Sequence, residues 1–339
     1  MINHFGLDIG AESIKAVQVV KGKEYFQLVT AGLIKTPVNG MTSDAEKDLV
    51  AVAEAIKKLK SEIRVTGSEA VLSLPERSVF TQIIEVPKMT EEELKQAIPW
   101  EAENLIPQPI AEVNLDWEVI PDEVDAKNNK MRVLLAAAPT ALINKYLKVL
   151  KLAELEPKAL ETELLAIVRC LKPFFGQGSL ILANLGGKSS DIAVIHRGNL
   201  YLTRQLPTAG EAITRALTTT LNMDFATAEE YKKTYGLSGQ FEDKLVTAIE
   251  PILGVVTGEV KKAAQFYLEK EQVPLKLMIL TGGTSLLPGI TEYFTRSLDL
   301  EVQVADPFSV VKMDEKSKQF LRKHSSTFAV ALGLAMKED

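Results

Sequence analysis

Residues 7–17 read Leu-Asp-Ile-Gly-Ala-Glu-Ser-Ile-Lys-Ala-Val, and residues 183–194 read Ala-Asn-Leu-Gly-Gly-Lys-Ser-Ser-Asp-Ile-Ala-Val. In each stretch an apolar strand runs into a tight turn of small residues and a second apolar strand runs back. Asp8 and Asn184 hold the same place, followed two residues later by Gly10 and Gly186 and then by Ser13 and Ser189. Such turns leave several backbone N–H groups pointing at one spot, which suits a phosphate. Two of them on two similar halves predict a nucleotide clamped between lobes, and an internal repeat of this kind governs the whole fold assignment.

Outward from the first copy, Phe5–Ile9, Lys15–Val20 and Tyr25–Leu33 read as strands, Asp44–Leu59 as an amphipathic helix, and Glu69–Leu74 and Thr81–Val86 as further strands. An insert follows over 88–155. Thr90 with Glu93 forms a capping box that opens a helix, which Pro99 should kink and Pro107 and Pro109 end. Two strands, Leu115–Pro121 and Lys130–Ala137, flank the polar turn Asp122–Asn129, and Ala141–Leu150 is a second helix. Glu161–Leu171 reads as a helix linking the halves.

Around the second copy, Ser179–Leu185, Ile192–Arg197 and Leu200–Leu206 read as strands, and Gly210–Asn222 and Thr227–Tyr235 as helices. Asp243–Lys270 is one long helix, or two around Gly254 and Gly258. Lys276–Thr281 is a strand, a helix starts near Pro288, and Thr327–Met336 is a final apolar helix. The expected division is a first lobe over 1–178 carrying the 88–155 insert, and a second over 179–339 with a smaller subdomain near 207–255.

Composition narrows the class. The 339 residues are 46% hydrophobic and 25% charged, ordinary for a globular protein with a sizeable core. Net charge is −6 and the basic residues are scattered along the chain, so nucleic acid is not expected as a partner. The lone Cys170 sits among Ile167, Val168 and Leu171, as a buried structural thiol in a reducing compartment. His4, His196 and His324 lack metal-ligand spacing. No signal peptide, membrane-spanning run or appended amphipathic tail helix is read, so no direct membrane insertion is expected.

Four elements carry the chemistry. Asp8, at a strand end, can hold a hydrated magnesium ion; Gly10 allows close backbone approach, Ser13 adds a hydroxyl, and Lys15 can reach a phosphate. The second loop brings Gly186, Gly187, Ser189 and Ser190. Its Gly187-Lys188-Ser189 is not a Walker A loop, because Leu182 stands where that motif needs glycine. Thr281-Gly282-Gly283-Thr284-Ser285-Leu286-Leu287-Pro288 can pack against adenine or ribose. Glu229 and Lys232, three apart on one helix face, can flank the ribose and base.

In this order the four elements resemble the actin-like ATPase superfamily, over essentially the full chain. Ile98-Pro99-Trp100-Glu101-Ala102-Glu103, Ile106-Pro107, Leu115-Asp116 and Leu134-Leu135-Ala136-Ala137-Ala138-Pro139 are similar to the PilM family, cytoplasmic components of the type IV pilus assembly platform. The resemblance implies an α/β, ribonuclease H-like two-lobed fold with an FtsA-type insert subdomain. It implies ATP and Mg2+ in the cleft, contacted by Asp8, Gly10, Ala11, Glu12, Ser13, Lys15, Asn184, Gly186, Gly187, Lys188, Ser189, Gly210, Glu229, Lys232, Gly282, Gly283, Thr284 and Leu287. It also implies that the N-terminal peptide of PilN, an inner-membrane protein, binds in a groove beside the insert. Other platform proteins are further contacts, and the chain is placed in the cytoplasm, peripheral to the inner membrane through its partner.

Two positions depart from the family pattern. Asn184 stands where the second loop usually starts with Asp, which makes magnesium binding at Asp8 and Asn184, and hydrolysis, weaker expectations than ATP binding. Glu154 replaces a usual glycine before the linker to the central helix. No residue stands out as the one that positions an attacking water; Glu161 is the candidate. The competing reading is an FtsA-like membrane-associated division or filament protein. A small-molecule kinase would need a catalytic Asp at a sugar pocket, for which no motif is read.

Overall fold

The repeated hairpin seeds two sheets that share one strand order. The computed structural model describes residues 4–23, 25–120, 129–176, 178–239 and 243–338. Strands β1 (Phe5–Ile9), β2 (Ser13–Lys21) and β3 (Phe26–Lys35) form an antiparallel meander; helix α1 (Glu46–Glu62) leads to β4 (Glu69–Leu74), which lies parallel to β1. Then come β5 (Phe80–Pro87), α2 (Glu91–Leu105), β6 (Val113–Ile120), β7 (Lys130–Pro139), α3 (Thr140–Leu152), β8 (Glu156–Thr162) and α4 (Glu163–Leu171).

The second half repeats the meander with β9 (Ser179–Leu185), β10 (Ser190–His196) and β11 (Asn199–Leu206). Helices α5 (Gly210–Leu221), α6 (Phe225–Thr234) and α7 (Asp243–Glu271) precede β12 (Leu277–Thr281), α8 (Ile290–Leu298) and β13 (Glu301–Val304). The chain closes with β14 (Val311–Lys312), α9 (Glu315–Leu321) and α10 (Ala329–Ala335). The first sheet is ordered β14-β3-β2-β1-β4-β8 and the second β11-β10-β9-β12-β13. Apart from β14, each is a three-stranded meander followed by two parallel strands. The repeat read from two loops is therefore a repeat of topology.

The third sheet, β5-β7-β6, belongs to the insert. Its β5, read as the end of the first-lobe run, pairs along its length with β7, so the insert sheet starts before residue 88. Helix α2 carries the capping box, runs through Pro99, and buries Leu94, Ile98 and Ala102 against this sheet. Helix α3, placed within 88–155, instead buries Tyr146, Val149 and Leu150 with Leu49, Val52 and Ile56 of α1 in the first-lobe core. Most of the turn read over Asp122–Asn129 lies outside the described residues.

Helix α7 is continuous through Pro251, Gly254 and Gly258 because Leu245, Ile249, Leu253, Val256, Val260 and Tyr267 anchor one face in the second-lobe core. The linking helix starts at Glu163 and not at Glu161, since residues 160–162 pair in parallel with 72–74 of β4. Glu154, read as standing where a glycine is usual, has φ 58°, in the left-handed region where glycine is the least strained residue.

Between the two large sheets, α4 and α10 cross in a core that joins Val17 and Val19 of the first to Leu182, Ala193 and Ile195 of the second. Cys170 is fully buried there. Gly333 is where the helices touch: a Cβ there would overlap the Ala166 carbonyl of α4. Among the described residues no helix is long and apolar enough to cross a membrane.

Candidate functional site

The two hairpins are built alike. Gly10 N–H donates to Ser13 O at 3.1 Å, and Gly186 N–H donates to Ser189 O at 3.0 Å. Strand register sets Asp8 opposite Lys15 in the first and Asn184 opposite Asp191 in the second. Lys15 Nζ lies 3.0 Å from Asp8 Oδ2 and Ser73 Oγ donates to Asp8 Oδ1 at 3.3 Å, so Asp8 is buried but satisfied. At Lys15's mirrored position the second hairpin has Asp191, so one loop carries a cation where the other carries an acid. The loops meet at their tips: a Cβ on Gly187 would lie 2.8 Å from Glu12 Cγ. Ala11 and Glu12 are exposed, and Lys188 and Ser189 are half-buried beside them.

Behind the hairpins lies a set of acids that the sequence reading missed. Asn184 Nδ2 donates to Glu163 Oε2 at 3.2 Å. Burial, then Asp191, Asp8 and Glu76, raise the Glu163 carboxyl well above the usual carboxylate range. Burial pushes Asp191 up to about 8, with Glu76 adding to it. Glu76 is 2% exposed; burial lifts it to about 7, against Leu164 N–H, which donates to Glu76 Oε2 at 3.2 Å. Glu76 Oε1 and Asp191 Oδ1 are buried without a hydrogen-bond partner. In all three neighbouring carboxyls burial disfavours ionisation, and in Glu163 and Asp191 a nearby carboxylate adds to it.

Glu161, the water-positioning candidate, does not join them. Its carboxylate is bound by Arg169 and by Lys337 at 3.1 Å. The carboxyl that faces the hairpins is Glu163, two residues on, at the first turn of α4. Asp191 was findable, being seven residues after Asn184 as Lys15 is after Asp8. Glu76 had no signal, because it reaches the site only through tertiary packing.

The third and fourth elements close on the second loop. Gly210 N–H and Thr284 Oγ1 both donate to Gly186 O, at 3.2 and 2.7 Å, and Glu211 N–H donates to Gly187 O at 2.7 Å. Gly282 has φ 85°, and a Cβ there would lie 2.8 Å from Asn184 Oδ1. Gly283 opens the following 3-10 turn, whereas Leu287 is buried in the second-lobe core. Lys232 Nζ bonds Glu229 Oε2 at 2.6 Å, Thr214 Oγ1 at 2.8 Å and Gly210 O at 3.0 Å. Burial lowers Lys232. It works against Glu229 ionising too, but Lys232, Thr214 and Lys233 outweigh it and hold Glu229 low.

A phosphate-bearing ligand fits this donor set, with tight turns from both lobes, Lys15 and Lys232 nearby and a glycine-lined approach. Among the described residues no three His, Cys, Asp or Glu side chains are arranged to grip a metal directly. A magnesium ion would be held through waters and the ligand's own oxygens, beside Asp8 and Asn184 and the unpartnered Asp191 Oδ1.

Comparison with known proteins agrees with this architecture. The profile of the family described as "Type IV pilus assembly protein PilM" matches residues 6–339. A solved PilM-PilN type IV pilus biogenesis complex superposes with TM-score 0.87 at 29% identity, covering 99% of this chain and 98% of that one. Ethanolamine utilization protein EutJ from Carboxydothermus hydrogenoformans follows at TM-score 0.60 and 20% identity, over 98% of this chain and 88% of that one. MreB5 of Spiroplasma citri bound to ADP gives TM-score 0.51 at 14%, over 97% and 94%. These two likenesses speak to the fold alone, which is actin-like. Cell division protein FtsA of Neisseria meningitidis is 28% identical over 177 residues, 44% of this chain and 40% of that protein. FtsA of Enterococcus hirae is 22% identical over 90% of this chain and 78% of its own.

Proposed function

The chain belongs to the PilM family of type IV pilus assembly proteins, and on that premise we propose that it binds ATP with Mg2+ between its hairpin loops and, so loaded, holds the N-terminal peptide of a PilN-like inner-membrane protein. The observation that carries the nucleotide half is the convergence on Gly186 O, where the second hairpin, α5 and the Thr281–Leu287 turn are bonded into one wall opposite the first hairpin. The partner half is supported by likeness to the PilM-PilN complex along nearly the whole chain.

In this reading the backbone N–H groups of Gly10–Ser13 and Gly186–Ser189 cradle the phosphates, and Lys15 and Lys188 supply positive charge. Glu229 accepts from ribose hydroxyls, while Lys232 and the Gly282–Leu287 turn flank the base. Asp8 and Asn184 orient the waters of the magnesium ion, which when bound neutralises phosphate charge. Hydrolysis is slow, for a reason in the chain itself. Glu163, which accepts from Asn184, is held well above the usual carboxylate range by burial and then by Asp191, so it ionises less readily to act as a base, and Glu161 is committed to Arg169 and Lys337. The peptide lies in a groove beside the insert, whose β6 is an open sheet edge and whose Trp100 is 74% exposed on α2. The protein then works in the cytoplasm, peripheral to the inner membrane, with other platform proteins sharing its surface.

The test is a titration with labelled ATP, with and without magnesium, followed by a synthetic PilN N-terminal peptide. Binding of both is expected. Charge reversal at Glu101 and Glu103 of α2 is expected to abolish peptide binding and spare ATP. ATP binding without peptide binding would favour a filament protein or kinase; absence of ATP binding would leave a scaffold on an actin-like fold.

A further inference from the structure

The end of the first-lobe sheet opposite the hairpins gathers cations that lie far apart in sequence from their aromatic neighbours. β2 leaves the first hairpin at Ser13 and reaches this far end at Lys21, opposite Phe26. β14 pairs there too, Val311 with Phe26, which brings Lys312 Nζ to 3.4 Å from the centroid of the Tyr25 ring. Residues 312–323 carry Lys312, Lys316, Lys318, Arg322 and Lys323 against only Asp314 and Glu315, in a chain of net charge −6. Both acids are already engaged: Asp314 caps α9, accepting from Ser317 N–H at 2.9 Å, and Glu315 pairs with Lys318 at 3.6 Å. Lys316, Arg322 and Lys323 are exposed, with no acidic partner among the described residues.

Leu321 anchors α9 in the core at 2% exposure and so fixes which face looks outward. Lys316 and Phe320, four residues apart, share that outer face. Phe320 is 55% exposed and Tyr25 39%. An aromatic ring left in water among uncompensated cations is the interfacial membrane pattern. The cationic heads reach lipid phosphates while the ring enters the headgroup boundary.

We propose that Tyr25, Lys312, Lys316, Phe320, Arg322 and Lys323 form a contact surface for an anionic lipid leaflet. The surface adsorbs electrostatically without inserting a helix. Alone it is weak, since stable membrane attachment takes two signals. A tethered partner peptide would supply the second by raising the local concentration. Because the patch lies at the sheet end opposite the hairpins, docking turns the cleft away from the bilayer. The setting rests on the membrane-peripheral function proposed above; the lipid chemistry does not.

The experiment is co-sedimentation of the full chain, without any partner, with vesicles of mixed phosphatidylglycerol and phosphatidylcholine and with pure phosphatidylcholine vesicles. Binding to the anionic vesicles only, reversed by about 0.5 M salt, is expected. Each cation near such a surface contributes about a five-fold factor, so K316E/R322E/K323E is expected to bind at least about 100-fold more weakly. F320S is expected to weaken it by several fold, at unchanged melting temperature. Equal binding to neutral vesicles, no binding to anionic ones, or a triple variant that sediments like the parent would each overturn the proposal. RNA or an acidic protein retained by the patch while anionic vesicles are not would also overturn it. The same variants are titrated with the PilN peptide. Lost vesicle binding with intact peptide binding in the parent chain removes this surface alone; the reverse removes the partner assignment alone.

Discussion

Asp8 and Lys15 are buried together, at 8% and 11% side-chain exposure, so each depends on the other. Removing one partner of a buried pair leaves an uncompensated charge. Lys15→Ala is therefore expected to lower stability by about 3 kcal/mol in urea unfolding, besides weakening ATP binding. Adding Asp8→Asn should recover most of the stability and none of the affinity, which separates the phosphate contact from the ion pair. Recovery of affinity in the double variant would show that Lys15 does not reach a phosphate.

Glu76 gives a prediction in pH. It keeps its proton in the folded state up to about 7, whereas the unfolded chain releases it near 4.5. Between these values the folded state binds more protons, so stability falls as pH rises and levels off above the folded value. Glu76→Gln should match the parent below about pH 4.5 and gain an advantage through pH 5–7. That advantage should reach about 3 kcal/mol and stay constant above pH 7. A difference independent of pH in urea midpoints would refute the buried proton. The hairpin residues were legible because their chemistry is local: a strand, a small-residue turn, a strand. Glu76 and Glu163 were not, because no local pattern says that two glutamates nearly ninety residues apart will share one wall.

At the scale of elements, the close approach of α4 and α10 joins the halves. A Cβ on Gly333 would overlap backbone, which cannot move aside as a flexible side chain could. Gly333→Ala is expected to cost about 3 kcal/mol or more of stability by overpacking, against under 1 kcal/mol for alanine at Gly178, where a Cβ meets open space. Equal urea midpoints for the two variants would mean that the helices do not pack as described. Most long elements were readable from hydrophobic period; the sequence left α7 as one helix or two around Gly254 and Gly258, and the structure has one, because buried side chains at helical spacing outweigh the backbone bond lost at Pro251. Periodicity failed where partnership decides. Nothing local distinguishes β5 as an insert strand, since only its pairing with β7 does so. β14 is two residues long, too short to carry a period, and exists because β3 offers it an edge. The cation–aromatic cluster at Tyr25 and Lys312 was missed for the same reason.

At the scale of the molecule, two halves with one strand order meet where α4 packs against α10. Nearby contacts already cross between the halves. Gln205 of β11 donates to Glu76 O at 2.9 Å, and Arg132 of the insert stacks over Tyr201 of β11 at 4.3 Å. Asp191 of the second hairpin is the register partner of Gln205, so the phosphate loop and the root of the insert lie one strand pair apart. A ligand that moves the second hairpin therefore acts on the insert's seat. If ATP and the PilN peptide favour the same arrangement, each must raise the other's affinity by the same factor, because coupling between two binding sites is reciprocal. ATP at about 100 times its dissociation constant should also stabilise the chain by about 2.7 kcal/mol, provided it binds only the folded state. Gln205→Ala removes one crossing contact without touching either ligand. It is expected to leave both affinities, measured separately, near the parent values and to reduce the factor by which one ligand alters the other. Calorimetric titration of each ligand in the presence and absence of the other measures that factor. An unchanged factor in Gln205→Ala would route the coupling through the crossed helices instead.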